Sequence, residues 1–139
     1  MNTTTTSSES PETQKSADFE VIIGDDRRYT IRLVYKTVAG QKLEGKFIFK
    51  IPTVGDILKI GIEEANMLSA AKDPRVVSAR MQDVAYIVAT LKVCLVNWPD
   101  WFSVEDITDM ELELLSAIYV RHAAIIDRYR ERSSIIIDP

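Results

Sequence analysis

Hydrophobic and polar residues alternate along the first part of the chain and then change to a helical spacing. Apolar side chains fall on one face in residues 19–23, 29–35 and 43–51, with turn residues at 24–26 and 39–41. Alternation with a period of two is typical of antiparallel strands that bury one face. The pattern therefore predicts a three-stranded antiparallel β-meander, whose solvated basic face carries Arg32, Lys36, Lys46 and Lys50.

The alternation ends at Pro52, which lacks a backbone N–H and cannot continue a strand ladder. Thr53 and Asp56 then stand three residues apart, as in a capping box, where each side chain accepts from the other residue's backbone N–H. A carboxylate at this position also stabilises the positive end of the helix dipole. The pair predicts a helix that begins at Val54, directly after the last strand.

Helical spacing predicts about three helices, packed as a bundle after the meander, and hence an α+β fold. The first runs from Val54 to about residue 71. The second starts at Asp73 and Pro74, an N-cap followed by proline at the first helical position, and includes Leu95. Its second half is apolar nearly all round, so we expect it to be central. The third begins near Ser103 or Thr108 and ends near residue 132. The first helix carries one stripe, formed by Val54, Ile57, Leu58, Gly61, Ala65 and Leu68.

Length and composition indicate one domain, which we place at residues 19–132 of the 139 in the chain. Residues 1–18 are rich in Thr and Ser, so we expect a disordered tail, and residues 133–139 form a short C-terminal tail. No apolar run reaches the ~18–20 residues of a membrane span, so we expect no membrane association. A single cysteine excludes an internal disulfide and favours a reducing cytoplasm.

No constellation of residues predicts catalysis, a cofactor or a metal ion. Cys94 lies in an apolar run with nothing to stabilise a thiolate, and His122 is the only histidine. A pair formed by these two residues lacks a local catalytic signature and supplies too few ligands for zinc. No glycine-rich phosphate-binding motif occurs. We therefore expect no enzyme, although a site of scattered carboxylates and arginines would leave no such signature.

Two charged clusters in the third helical region are accounted for by the electrostatics of the helix. The acids near its start complement the helix dipole and match no calcium-binding loop; they are Glu105, Asp106, Asp109, Glu111 and Glu113. The arginines near its end suit the opposite pole of the dipole and are interrupted by acids; they are Arg121, Arg128, Arg130 and Arg132. We therefore expect neither a metal site nor nucleic-acid binding here.

Three large aromatic residues crowd the loop around Pro99, between the second and third predicted helices. They are Trp98, Trp101 and Phe102. Such a cluster either caps the core or anchors a partner, and the two roles can coexist. We take these three as candidate partner-binding residues and expect at least one of them to be substantially exposed.

The run from Phe47 to Leu58, FIFKIPTVGDIL, resembles the opening of bacteriophage tail assembly chaperones, especially the Mu-like group. In that family a short strand leads to a P-T-V-G-D-L-L motif and then to helices. Residues 106–112, DITDMEL, are similar to the family's entry to its last helix. The resemblance implies a non-enzymatic late protein of the host cytoplasm that binds the tape measure protein and helps the tail-tube protein polymerise around it.

Two other points stay open at this stage. The chain could form a homo-oligomer, which a single sequence does not reveal. The rival to the chaperone interpretation is a structural virion component, such as a small tail, neck or baseplate protein. The two differ in whether the protein remains in the finished particle.

Overall fold

A computed structural model describes residues 27–132. The tail of residues 1–18, the strand predicted at 19–23 with its turn at 24–26, and the tail at 133–139 lie outside the described residues. Within 27–132 the chain has an α+β fold, as the pattern predicts. A three-stranded antiparallel sheet lies on the N-terminal side, and three α-helices follow its first two strands.

The sheet is built on a hairpin of β1 (Arg28–Lys36) and β2 (Lys42–Lys50), which pair antiparallel along their whole length. At the turn between them Gly40 has a φ of 92°, a left-handed conformation that glycine adopts without steric cost. Buried side chains alternate with more exposed ones along β1. The same alternation occurs in the second half of β2. Two of the predicted strands and their basic outer face are thus confirmed.

The third described strand comes from a stretch that helical spacing assigns to the second helix. β3 (Leu95–Asn97) pairs antiparallel with β2 and has only three residues. The preceding helix ends at Cys94, and Leu95 already has extended backbone, with φ −72° and ψ 128°. A short apolar run fits a helical or a strand period equally well, so spacing alone placed Leu95 on the wrong element.

The three helices are α1 (Val54–Leu68), α2 (Ala79–Cys94) and α3 (Leu112–Arg132). Asp73 and Pro74 do not start α2; they start a single 3-10 turn, Pro74–Val76, and Ser78 caps α2 instead. Both Asp73 and Ser78 are good N-caps, and the β-branched pair after Arg75 favours extended backbone between them. Thr108 likewise lies in a short 3-10 turn, Ile107–Asp109, ahead of α3.

The core lies between the inner face of the sheet and the helices. α2 is the central helix, as expected, with six buried residues, five of them in its second half. α3 is fixed to β1 by two hydrogen bonds. The Tyr35 hydroxyl donates to Glu111 Oε1 over 3.0 Å, and the Tyr29 hydroxyl contacts His122 Nδ1. The largest fully buried side chains are Tyr29, Phe47, Phe49, Phe102, Ile31, Leu33, Leu91, Ile118 and Cys94.

None of the helices described between residues 27 and 132 is long and apolar enough to cross a membrane.

The capping box at the start of α1 generates the first testable prediction. The Asp56 N–H donates to the Thr53 hydroxyl over 3.3 Å, so Thr53→Ala leaves that N–H without its acceptor. We expect a loss of about 1 kcal/mol in the free energy of unfolding, measured by urea denaturation. Thr53→Ser keeps the hydroxyl and serves as the control. Equal urea midpoints for the two variants would show that the cap contributes nothing.

Candidate functional site

One side of α1 is apolar and open to solvent. The exposed fractions are 75% for Val54, 51% for Ile57, 63% for Leu58 and 60% for Ile62. Gly61 and Ala65 lie among them at helical spacing and are also exposed. A helix normally turns its apolar stripe toward the core, so α1 has the opposite arrangement. We call this surface the α1 face; it comprises Val54, Ile57, Leu58, Gly61, Ile62 and Ala65.

Asp56 sets the rotation of α1 about its axis. Its buried carboxylate accepts from the Thr53 N–H over 3.0 Å and pairs with Lys50 Nζ at 2.9 Å. The hydrogen bonds from Thr53 and the Lys50 ammonium hold the pKa of Asp56 below its usual range. Ile60, one turn further on, is buried on the same side of the helix. Because this side faces inward, the apolar stripe must face outward.

A groove of about 330 Å³ adjoins the α1 face at the C-terminal end of the helix. It lies between the end of α1 and the first half of α2. Leu68 links the two surfaces, since it belongs to the predicted α1 stripe and also lines the groove. Methionine side chains are flexible and adapt to partners of different shape, and two of them line this groove. The lining residues are Met67, Leu68, Arg80, Met81, Val84, Ala85, Val88 and Thr108.

The aromatic loop after β3 caps the sheet. Phe102 is buried, while Trp98 and Trp101 are half-buried. Trp101 Nε1 donates to the Glu44 carbonyl over 2.8 Å, and both Trp101 and Phe102 meet the Phe47 ring edge to face. None of the three is largely exposed, which corrects the expectation that one would be. Partner contact through the remaining exposed edges of the two tryptophans stays a prediction.

Gly45 makes this aromatic cap possible, and no sequence motif singles it out. A Cβ atom built at Gly45 would overlap the Pro99 ring and lie 3.4 Å from Trp101 Cζ2. The loop therefore approaches the β2 backbone through space that any other residue would fill. An isolated glycine inside a strand pattern often marks such a close approach, and this was the available signal.

His122 is a core residue with a satisfied ring. Its centroid lies 4.6 Å from that of Phe49 and 5.9 Å from that of Tyr29, and the three rings are stacked. Nδ1 is hydrogen-bonded to the Tyr29 hydroxyl. Burial lowers the pKa of His122 to about 4, so the ring is neutral at neutral pH. The helical spacing of apolar residues along α3 did not predict that His122 is buried.

The other candidates for chemistry are also explained by packing. Cys94 is fully buried, and burial raises the pKa of its thiol to about 11, so it stays protonated at neutral pH. In the predicted acidic cluster, the Glu111 carboxylate accepts a hydrogen bond from the Tyr35 hydroxyl. Among residues 27–132, no three His, Cys, Asp or Glu side chains are grouped so that they could hold a metal ion.

Comparison of the chain with protein-family models, with curated proteins and with solved structures found no match.

The contact at Gly45 predicts opposite outcomes for two glycine substitutions. Gly45→Ala should lower the free energy of unfolding by about 1–3 kcal/mol, because the new methyl group displaces Pro99 and the aromatic cap. Gly61→Ala is the matched control, since nothing lies within 4 Å of a Cβ there. In that helix interior, alanine should raise the stability by about 0.5–1 kcal/mol. Thermal and urea unfolding of both variants measure the difference, and a stabilised Gly45→Ala would contradict the close approach.

The burial of His122 predicts acid sensitivity. In the unfolded chain a histidine titrates near 6.5, whereas burial lowers the pKa of His122 to about 4 in the folded protein. Between these two pKa values the unfolded state binds more protons than the folded state. The contribution of His122 to the free energy of unfolding is therefore fully present above the upper pKa, and it decreases as the pH falls toward the lower one. The slope is at most about 1.4 kcal/mol per pH unit. In urea unfolding across this pH range, the free energy of unfolding should depend less steeply on pH for His122→Gln than for the unmodified protein. Identical slopes would contradict the prediction.

Proposed function

We propose that this protein is a non-enzymatic bacteriophage tail assembly chaperone, which binds the tape measure protein in the host cytoplasm and assists assembly of the tail-tube protein. The observation that carries a binding role is the α1 face, where four large aliphatic side chains are more than half exposed. The resemblance of residues 47–58 to tail assembly chaperones supports the choice of client. The protonated Cys94 thiol and the stacked His122 ring support a non-enzymatic role.

The α1 face suits a helical segment of the client. In helix-in-groove recognition, an amphipathic helix lays apolar residues spaced three and four apart onto an apolar surface. Gly61 and Ala65 leave room near the middle of the face, so the axis of a second helix can come close. The groove beside Leu68 extends this surface past the end of α1 and offers two adaptable methionines. A chaperone that covers apolar client segments needs such a surface.

The size of the face favours a client over a second copy of this chain. A helix of 15 residues is about 22 Å long and about 10 Å wide, so one side of it offers only about 220 Å². Stable interfaces bury roughly 800 Å² per partner. A long client helix can cover the α1 face and the groove together, whereas two copies of α1 would cover only each other.

Charge placed on the α1 face should weaken client capture. Leu58→Glu adds a carboxylate to an exposed position, so the melting temperature should change little while binding to co-expressed tape measure protein weakens by about 2 kcal/mol. Co-purification from infected cells and titration of the purified pair measure the effect. Unchanged capture by a folded Leu58→Glu variant would contradict the assignment of this face.

Val120→Glu is the matched control, since Val120 is 61% exposed on α3 and lies outside the α1 face. It should bind the client like the unmodified protein. Analysis of purified phage particles tests the functional class itself. A chaperone should be absent or scarce in them, whereas stoichiometric retention would favour the structural virion component instead.

A further inference from the structure

The outer face of the β1–β2 hairpin places positive charges directly opposite one another. The register aligns Arg28 with Lys50, Arg32 with Lys46, and Lys36 with Lys42. Like charges in directly opposed positions of a sheet are destabilising, because their Cβ atoms are only about 5 Å apart. Three such pairs in one hairpin are therefore unfavourable unless an anion offsets them. We call these six residues the basic strip.

The chain compensates only part of this charge itself. Lys42 pairs with Glu44 at 3.3 Å, and Lys50 pairs with Asp56 at 2.9 Å. Within the part of the chain that the structure describes, no acid pairs with either member of the central couple, Arg32 and Lys46. The centre of the strip is thus positive, although the whole chain carries a net charge of −4.

The space between the charged pairs is not uniformly polar. Val34 is 55% exposed and lies between Arg32 and Lys36 on β1. Glu44 lies opposite Val34 on β2 and is paired with Lys42. Successive cation pairs are four residues apart, which corresponds to about 13 Å along a strand. A ligand that fits the centre of the strip carries an anionic group next to an apolar group, and an acidic peptide has that composition.

Single-stranded nucleic acid fits the strip less well. Proteins that bind it combine a positive groove with aromatic side chains on which the bases stack. The outward positions of β1 and β2 carry no aromatic ring, because Tyr29, Tyr35, Phe47 and Phe49 all belong to the inward set. The net negative charge of the chain further weakens attraction to a polyphosphate.

We propose that the basic strip binds an acidic segment of a protein partner, with a carboxylate on the central pair of Arg32 and Lys46 and an apolar side chain over Val34. This interaction goes beyond the proposed chaperone function, since the strip shares no residue with the α1 face. The strip keeps its like-charge register at a cost in stability, and a bound carboxylate removes that cost.

The test uses the full chain and fluorescein-labelled poly-L-glutamate at low ionic strength. Arg32→Glu combined with Lys46→Glu keeps two like charges opposed but reverses their sign, so binding should weaken by about tenfold or more. The double control Lys59→Glu with Lys72→Glu makes the same change of net charge at exposed positions outside the hairpin and should bind normally. Equal affinity of the two double variants, or no binding by the unmodified chain, would overturn the proposal.

Two further measurements distinguish three possible occupants of the basic strip: an acidic segment of a partner, a nucleic acid and the chain's own N-terminal segment. Tighter binding of an oligothymidylate of equal length, with the same dependence on Arg32 and Lys46, would overturn the proposal in favour of nucleic acid. Residues 1–26 carry six acids and one lysine. If poly-L-glutamate binds only after these residues are removed, they are the occupant of the strip, and this result would also overturn the proposal.

The cost of the like-charge register is measured separately. Lys46→Glu alone converts the central pair into an opposite-charge pair, so it should raise the melting temperature at low salt. An unchanged or lower melting temperature would show that the register carries no such cost.

Discussion

The buried carboxylate of Asp56 is the constraint on which the rest of the molecule depends. It joins the last residue of β2 to the first turn of α1, because Lys50 and Thr53 both bind it. A carboxylate held from two sides cannot turn with the helix toward solvent. The rotation of α1 is therefore fixed by polar contacts at its start, and the position of its apolar stripe follows. Burying a leucine or isoleucine side chain contributes about 1.5–3 kcal/mol, so leaving four aliphatic side chains largely exposed is a substantial sacrifice of stability.

Local signals predicted most of the fold. The hairpin of β1 and β2, the capping box at Thr53 and the start of α1 all depend on residues close together in the chain, so alternation and capping rules recover them. β3 depends on a partner far away in sequence, since Asn97 pairs with Ile48. Its three residues have no periodicity of their own, and the sequence pattern therefore assigned Leu95 to the helix.

The candidate site was predicted less well, for a related reason. Helical spacing identified the stripe on α1, but spacing does not say which side of a helix the rest of the chain covers. By composition the aromatic loop was the stronger candidate for a partner-binding site, yet Gly45 allows the loop to pack closely against β2. His122 shows the same limit, because a single histidine on a helix carries no local sign of burial. The candidate binding surfaces of this domain are thus those that the core leaves uncovered, and the α1 face and the basic strip are two such surfaces of opposite chemistry.

The late position of β3 in the chain also affects how the protein emerges during synthesis. The hairpin and α1 are complete by residue 68, but β3, the aromatic cap and α3 all follow residue 94. Until those segments arrive, Phe47 lacks the Trp101 and Phe102 rings that pack on it, and Tyr29 and Phe49 lack the ring of His122. Exposed strands with large apolar side chains are prone to associate with other chains. The nascent protein thus passes through a stage in which part of the inner face of its sheet is open to association with other chains.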